Sequence, residues 1–193
     1  MKKIFLLYSL LFISPAFTFG LNQDITSCDS PEAHQFDFWI GEWNINQKII
    51  QKDGNWLETK AHTSVSTILN GCALEEHWKG DVKFFWLNMQ DVKPMKGFSL
   101  RYYDEKEKNW HIYWLDNFNP KLGKGSTGNF KDGKGEFFSE TSTPNGNRIS
   151  RITFSDITDD SVHWDLAISN DDGKKWTTIW IMEMKRTDKS DQE

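Results

Sequence analysis

From Phe36 onward the chain alternates apolar and polar side chains in short runs, and each run ends in turn-forming residues. That period of two is the mark of half-buried strands. WNINQKIIQ runs into KDGN and WLETKAHTSVSTIL into NG; CALEEHW is followed by KGD and then VKFFWLNM; FSLRYY turns through DEKEKN into WHIYWLDNF. The second half repeats the habit at KDGKG, TPNGN, DITDD and NDDGKK. Asp-Gly and Asn-Gly pairs tolerate positive φ and favour hairpins at this spacing. No long segment carries a helical period. Ser30-Pro31-Glu32 offers a Ser cap, a Pro at the first helical position and an acid in the first turn, which predicts a helix of one or two turns before Phe36. Short turns joining successive strands predict an antiparallel meander, which either closes into a barrel or splits into a sandwich. Closure is the cleaner way to remove strand edges. The expected fold is therefore all-β: a single antiparallel up-and-down barrel of about 8–10 strands with a short N-terminal helix.

Strand parity sorts the polar residues that carry chemistry. In CALEEHW, Cys72, Leu74, Glu76 and Trp78 share one face; in WHIYWLDN, Trp110, Ile112, Trp114 and Asp116 share one. Each strand thus sets a carboxylate among Trp and aliphatic residues. If both faces line one cavity, Glu76 and Asp116 are buried acids with raised pKa, or bonded to a partner such as Arg101 or Arg151. A few polar groups in an aromatic wall are the usual build of a small-molecule site, so Glu76, Trp78, Arg101, Trp114 and Asp116 are the candidate ligand-binding residues. The blander reading is that Asp116 begins a turn and Glu76 makes a structural ion pair.

Composition narrows the rest. MKKIFLLYSLLFISPAFTFG has a basic start at Lys2 and Lys3, an apolar run from Ile4 to Ile13 too short to span a bilayer, and small residues after it. It reads as a secretory signal peptide cleaved after Gly20, or second after Ala16. Cleavage after Gly20 leaves 173 of the 193 residues and, by removing two lysines and no acids, moves the formal net charge from −5 to −7. A mildly acidic domain without basic clusters is a poor partner for nucleic acid or an anionic membrane, and no later segment is apolar enough to span a membrane. The division is then 1–20 signal peptide, 21–35 leader with the short helix, 36–186 barrel, and 187–193 charged, disordered tail. Export to the periplasm or medium means an oxidising compartment, so Cys28 and Cys72 favour one disulfide. The competing reading of ITSC, Ile25 to Cys28, as a lipoprotein box is opposed by polar Asn22-Gln23-Asp24.

Other chemistry finds less support. The five histidines show no paired ligand spacing, so no metal site is assigned. His62, His77 and His111 are the ones that could ligate haem inside a barrel. No Gly-rich phosphate loop and no Gly-x-Ser-x-Gly elbow is present. SNDDGKKW, Ser169 to Trp176, fits the Asp-box pattern of sialidases and other β proteins. Its roles are structural: Asp171 bonds turn amides, Gly173 takes positive φ, and Trp176 packs over the hairpin.

FDFWIGEW, LNGCALEEHW, SLRYYD, WHIYWLDN and SNDDGKKW, in that order from about Phe36 to Trp180, resemble an uncharacterised family of exported bacterial proteins. Its members carry a Phe-Asp-Phe-Trp-x-Gly-x-Trp opening and a Gly-Cys-x-Leu-x-Glu-x-Trp strand. Arg101 stands where that family suggests Asn, and Leu166 where it favours an aromatic. More distantly, the short helix leading to Gly41-Glu42-Trp43 is similar to the opening of calycins: lipocalins, fatty-acid-binding proteins and nitrobindins. That resemblance implies a closed barrel whose first-strand Trp43 plugs one end beneath a basic side chain, Lys185 or Arg186. Phe36, Phe38 and Trp39 would close the base, and Gly41 would let the chain bend into the first strand. The expected function is binding of a small, partly apolar ligand in the interior. The alternatives are an enzyme using Glu76 and Asp116 as acid and base beside His111 or Tyr113, and a haem-binding barrel. No catalytic residue, cofactor or oligomeric state is assigned.

Overall fold

Ser30 opens the computed structural model's first element: its hydroxyl accepts from the Ala33 N–H at 3.2 Å and caps a 3-10 turn over Pro31–His34. Residues 28–143 and 146–187 are described; the expected signal peptide, the ITSC box up to Ser27 and the tail beyond Thr187 lie outside them. A second 3-10 turn, Asp37–Trp39, delivers the chain to the sheet. The short helix of the sequence reading is thus a pair of 3-10 turns.

Ten strands follow: β1 (Gly41–Ile50), β2 (Trp56–Ile68), β3 (Ala73–Val82), β4 (Lys93–Asp104), β5 (Asn109–Asp116), β6 (Ser126–Lys131), β7 (Lys134–Thr143), β8 (Gly146–Ser155), β9 (Ser161–Ser169) and β10 (Thr177–Arg186). Each pairs antiparallel with its chain neighbours, and β1 pairs with β10 from Trp43–Arg186 to Ile49–Trp180, which closes the barrel. The meander therefore closes and does not split into a sandwich. Burial alternates along β1, with Trp43, Ile45, Gln47 and Ile49 inside, as the period of two requires.

One end is sealed by aromatics. Phe36 is fully buried with the rings of Trp110, Phe130, Phe137 and Phe154 within 4.8–5.4 Å. Phe38 lies 5.8 Å from it, and Trp39 stacks on Trp43 at 5.5 Å. Of the two basic candidates, Arg186 covers Trp43, its guanidinium carbon 4.2 Å from the ring centre. Arg186 also donates to the carbonyls of Ile40, Phe38 and Asp159. Gly41 has φ +124°, and a Cβ there would meet Arg186 Nη1 at 2.6 Å; only glycine combines that backbone with that neighbour. A disulfide joins Cys28 to Cys72. Cys72 closes the 3-10 turn Leu69–Gly71, and the strand expected to start at Cys72 starts one residue later.

At the other end the segment after β3 packs over the interior. After β3 the chain folds inward, with Phe84 buried against Trp180 at 5.1 Å and Trp86 stacked on Phe84 at 4.7 Å. Gln47 and Thr59 donate to the Asp81 carbonyl, and Gln51 to that of Lys83. The seam between β5 and β6 is thin, with pairs only at Trp110–Gly128, His111–Thr127 and Ile112–Ser126. Beyond Ile112 the two strands part.

Candidate functional site

The inward faces of β3, β4 and β5 carry the polar floor of the interior. Leu74, Glu76 and Trp78 point in from β3, Ser99 and Arg101 from β4, and Ile112 and Trp114 from β5, with β8, β9 and β10 supplying the facing wall. Between them is a cavity of about 280 Å³. Its walls include Trp78, Trp114, Ile152, Trp164, Leu166, Trp180, Met182 and Met184, and its floor Trp39 and Phe154. A second, more open recess shares Ile112, Trp114, Ser139 and Ile152 with it and is otherwise lined by 123–126 and 140–142. The parting of β5 from β6 is thus the side on which the interior meets solvent.

One charged pair is buried in this apolar space. The Glu76 carboxylate accepts from Thr63 Oγ1 at 2.9 Å through Oε1, and through Oε2 from Ser99 Oγ at 2.8 Å and Arg101 Nη2 at 2.6 Å. Glu76 and Arg101 are each 4% exposed. The Arg101 guanidinium also faces the rings of Phe36, Trp39 and Phe154 at 5.2–5.6 Å, an arrangement that stabilises a desolvated cation. Burial draws the Arg101 guanidinium below its ordinary range, while Glu76 opposes the shift by charge and hydrogen bond. A guanidinium stays charged through such a shift.

Four of the five residues singled out from the sequence line the cavity: Glu76, Trp78, Arg101 and Trp114. Asp116 does not. Its Oδ1 accepts from the backbone N–H groups of Phe118 and Asn119, both at 2.8 Å, and its Oδ2 from Trp114 Nε1 at 2.9 Å. The carboxylate is consumed in starting the turn after β5, so the paired acids needed by the enzyme reading do not face one cavity. The three histidines considered as haem ligands also lie away from the cavity. His62 bonds Glu42, and His111 lies beside Glu107 and stacks on Tyr102 at 4.9 Å, while His77 is exposed. None of these lines the cavity.

Arg151, the other partner considered for Glu76, lies instead over the Trp176 ring at 4.6 Å and 3.9 Å from Glu136. Trp176 also approaches Phe138 at 6.2 Å, so the Asp-box Trp reaches across to β7 and β8. Within its hairpin, Asp171 Oδ1 accepts from Lys175 N–H and Ser169 Oγ at 2.8 Å, and Gly173 has φ +81°.

Residues the sequence reading missed make up the facing wall. The alternation Trp180-Ile181-Met182-Glu183-Met184 in β10 carries the signal for three of them. A bulge between Thr178 and Trp180 shifts the register just before this run, so the parity of Thr177 and Thr178 does not carry through it. Gly97 was not flagged either. A Cβ there would overlap the Trp114 ring, which lies across β4 at that point.

No family model matches the chain, and no curated protein matches it. Solved structures similar to it include the S-type phycobiliprotein lyase CPES of Guillardia theta, at 15% identity and a TM-score of 0.50, covering 84% of this chain and 96% of that one. Rv2717c of M. tuberculosis matches at 10% identity and a TM-score of 0.54, covering 82% of this chain and 99% of that one. With the ten-stranded closed antiparallel barrel, these likenesses give the chain a calycin-like fold.

Proposed function

We propose that this protein is an exported barrel that binds a small, partly apolar molecule in its interior. The observation that carries the reading is the cavity of about 280 Å³ walled by Trp, Met, Ile and Leu around one buried polar cluster. That volume sits near the lower end of small-molecule sites, roughly 300–1,000 Å³. Barrels of comparable strand number leave room for one such ligand. Likeness to a lyase acting on phycobiliproteins brings no ligand to this chain; the support is the cavity's own chemistry. The Cys28–Cys72 disulfide fits an oxidising compartment. Among the described residues no helix is long and apolar enough to cross a membrane. We extend the proposal to the division of the chain, with 1–20 removed on export and 36–186 as the barrel unit.

Trp39, Trp78, Trp114, Trp164 and Trp180 all line the cavity, so any occupant alters intrinsic fluorescence. Titration of the purified protein with lipids, fatty acids and isoprenoids is expected to give a saturable change with one of these classes at one ligand per chain. Absence of any saturable change across the panel would count against interior binding. Intact mass of the exported protein, with and without reductant, checks the Gly20 cleavage and the disulfide together.

A further inference from the structure

The large apolar side chains that stay exposed gather at one end of the barrel. Strands alternate in direction, so the turns after β1, β3, β5, β7 and β9 share the end opposite the aromatic seal. Trp56, Phe85, Leu87, Val92, Phe118 and Leu122 are exposed there, whereas Leu69 and Phe138 are exposed elsewhere. Leu87 and Leu122 reach 49% and 63% exposure. Apart from Trp56, the group stands on two loops, 83–92 and 117–125. These loops are neighbours. The Lys96 N–H, just past the first, donates to Asn117 Oδ1 at 2.8 Å, and the Asn117 N–H donates to the Lys96 carbonyl at 3.1 Å. Single exposed apolar residues are ordinary, but a group of them in one place marks an interaction surface.

The chain carries a net charge of −5, which for the molecule as a whole disfavours an anionic surface. These loops run against that balance. Lys83 and Lys93 bracket the first and Lys121 and Lys124 lie in the second, with Asp91 the one acid within them. Asp116, at the root of the second loop, already holds three N–H donors, and Glu140 lies across the recess on β7. The β1–β2 turn sets Lys52 against Asp53, and the β9–β10 turn sets Lys174 and Lys175 against Asp171 and Asp172, so neither turn offsets the excess. The lysines that form ion pairs, Lys48, Lys108 and Lys134, are on other segments. Contact regions between proteins are depleted in Lys and enriched in Arg, whereas these loops and their flanks hold four Lys and no Arg. Apolar tips flanked by Lys are the composition of a surface that seats in a lipid interface, with the apolar groups among the headgroups and the ammonium groups against phosphate. We propose that this end of the barrel docks on an anionic lipid surface through Phe85, Leu87, Val92, Phe118 and Leu122, with Lys83, Lys93, Lys121 and Lys124 against the lipid phosphates. The second loop also lines, through Gly123 and Lys124, the recess where the interior meets solvent, so docking turns that opening toward the lipid. The docking itself does not depend on the interior holding a ligand.

Vesicle co-sedimentation of the disulfide-bonded protein tests the docking, with phosphatidylcholine alone against an equal mixture of phosphatidylcholine and phosphatidylglycerol. At low salt the mixed vesicles are expected to bind at least roughly tenfold tighter than the neutral ones, and the difference to shrink as salt is raised. Lys121→Gln with Lys124→Gln should weaken binding to the mixed vesicles at least roughly tenfold. Leu87→Asn with Leu122→Asn should weaken it as much while leaving the fold intact, since both side chains stand in solvent. Leu69→Asn, at the sealed end and at a φ of 52° that Asn tolerates, should leave binding unchanged. Equal binding to the two vesicle types, no binding to either, or an equal loss from Leu69→Asn overturns the proposal. So does a lipid-free dimer in analytical ultracentrifugation that Leu87→Asn with Leu122→Asn dissociates, which makes the surface a contact between two copies.

Discussion

At the scale of single residues, the interior is specified by side chains whose polar atoms are counted out one by one. Gln47 faces inward and is 1% exposed, yet it has no unmet polar atom: Nε2 donates to Thr59 Oγ1 and the Asp81 carbonyl, and Oε1 accepts from Trp180 Nε1 at 2.8 Å. Arg186 does the same work at the sealed end, joining three carbonyls and the face of Trp43. Arg186→Met is therefore expected to lower stability by about 2–4 kcal/mol, from lost charged hydrogen bonds and the cation–ring contact, as read by urea unfolding. Trp43→Ala should cost about 3–5 kcal/mol, as for other buried aromatics. The cavity lies beyond Trp39, so ligand affinity should survive in the folded fraction. Gly97 works the other way. Gly97→Ala displaces Trp114 from its place across β4, and overpacking of this kind costs about 1–3 kcal/mol; here ligand affinity should fall with stability.

At the scale of elements, alternation in β3 and β5 told which residues share a face, because nothing interrupts those strands between Leu74 and Trp78 or between Trp110 and Trp114. It could not tell where β5 stops. Asp116 keeps the parity of Trp114 but falls at the strand's end, where backbone amides of the next turn capture its carboxylate. The bulge in β10 was invisible for a related reason: an extra residue leaves composition unchanged and shows only in the partner strand's register. The Asp-box hairpin between β9 and β10 was legible because its physics is local. Hydrogen bonds from the Lys175 amide, then from Ser169, hold Asp171 below the ordinary carboxylate range. A depressed folded-state pKa stabilises above the unfolded value, about 3.9 for Asp, and the contribution is lost as pH falls through the folded one. Asp171→Asn should thus unfold more easily than the unaltered protein near neutral pH, and the gap should narrow as pH drops below about 4, measured by thermal unfolding across pH. The Cys28–Cys72 bond spans a sequence separation of 44 residues, and removing it by paired Ser substitution should cost about 2–4 kcal/mol.

At the scale of the molecule, ten antiparallel strands leave no sheet edge, one end is filled with rings, and the opposite side opens where β5 and β6 part after three residue pairs. Filling and opening are arranged so that the buried Glu76–Arg101 pair sits on the floor of an apolar chamber and not inside a solid core. A barrel needing only stability gains little from such a pair, since apolar replacements are often neutral or better. In the proposed reading the pair serves an occupant of the chamber. The most direct measurement is a fluorescence titration comparing the unaltered protein with Ile152→Trp/Leu166→Trp, which puts two indoles into the cavity space. The account predicts saturable one-to-one binding in the unaltered protein and its loss in the filled variant, with both folded by circular dichroism. A folded filled variant that binds as tightly as the unaltered protein would place the ligand outside the barrel and contradict the account.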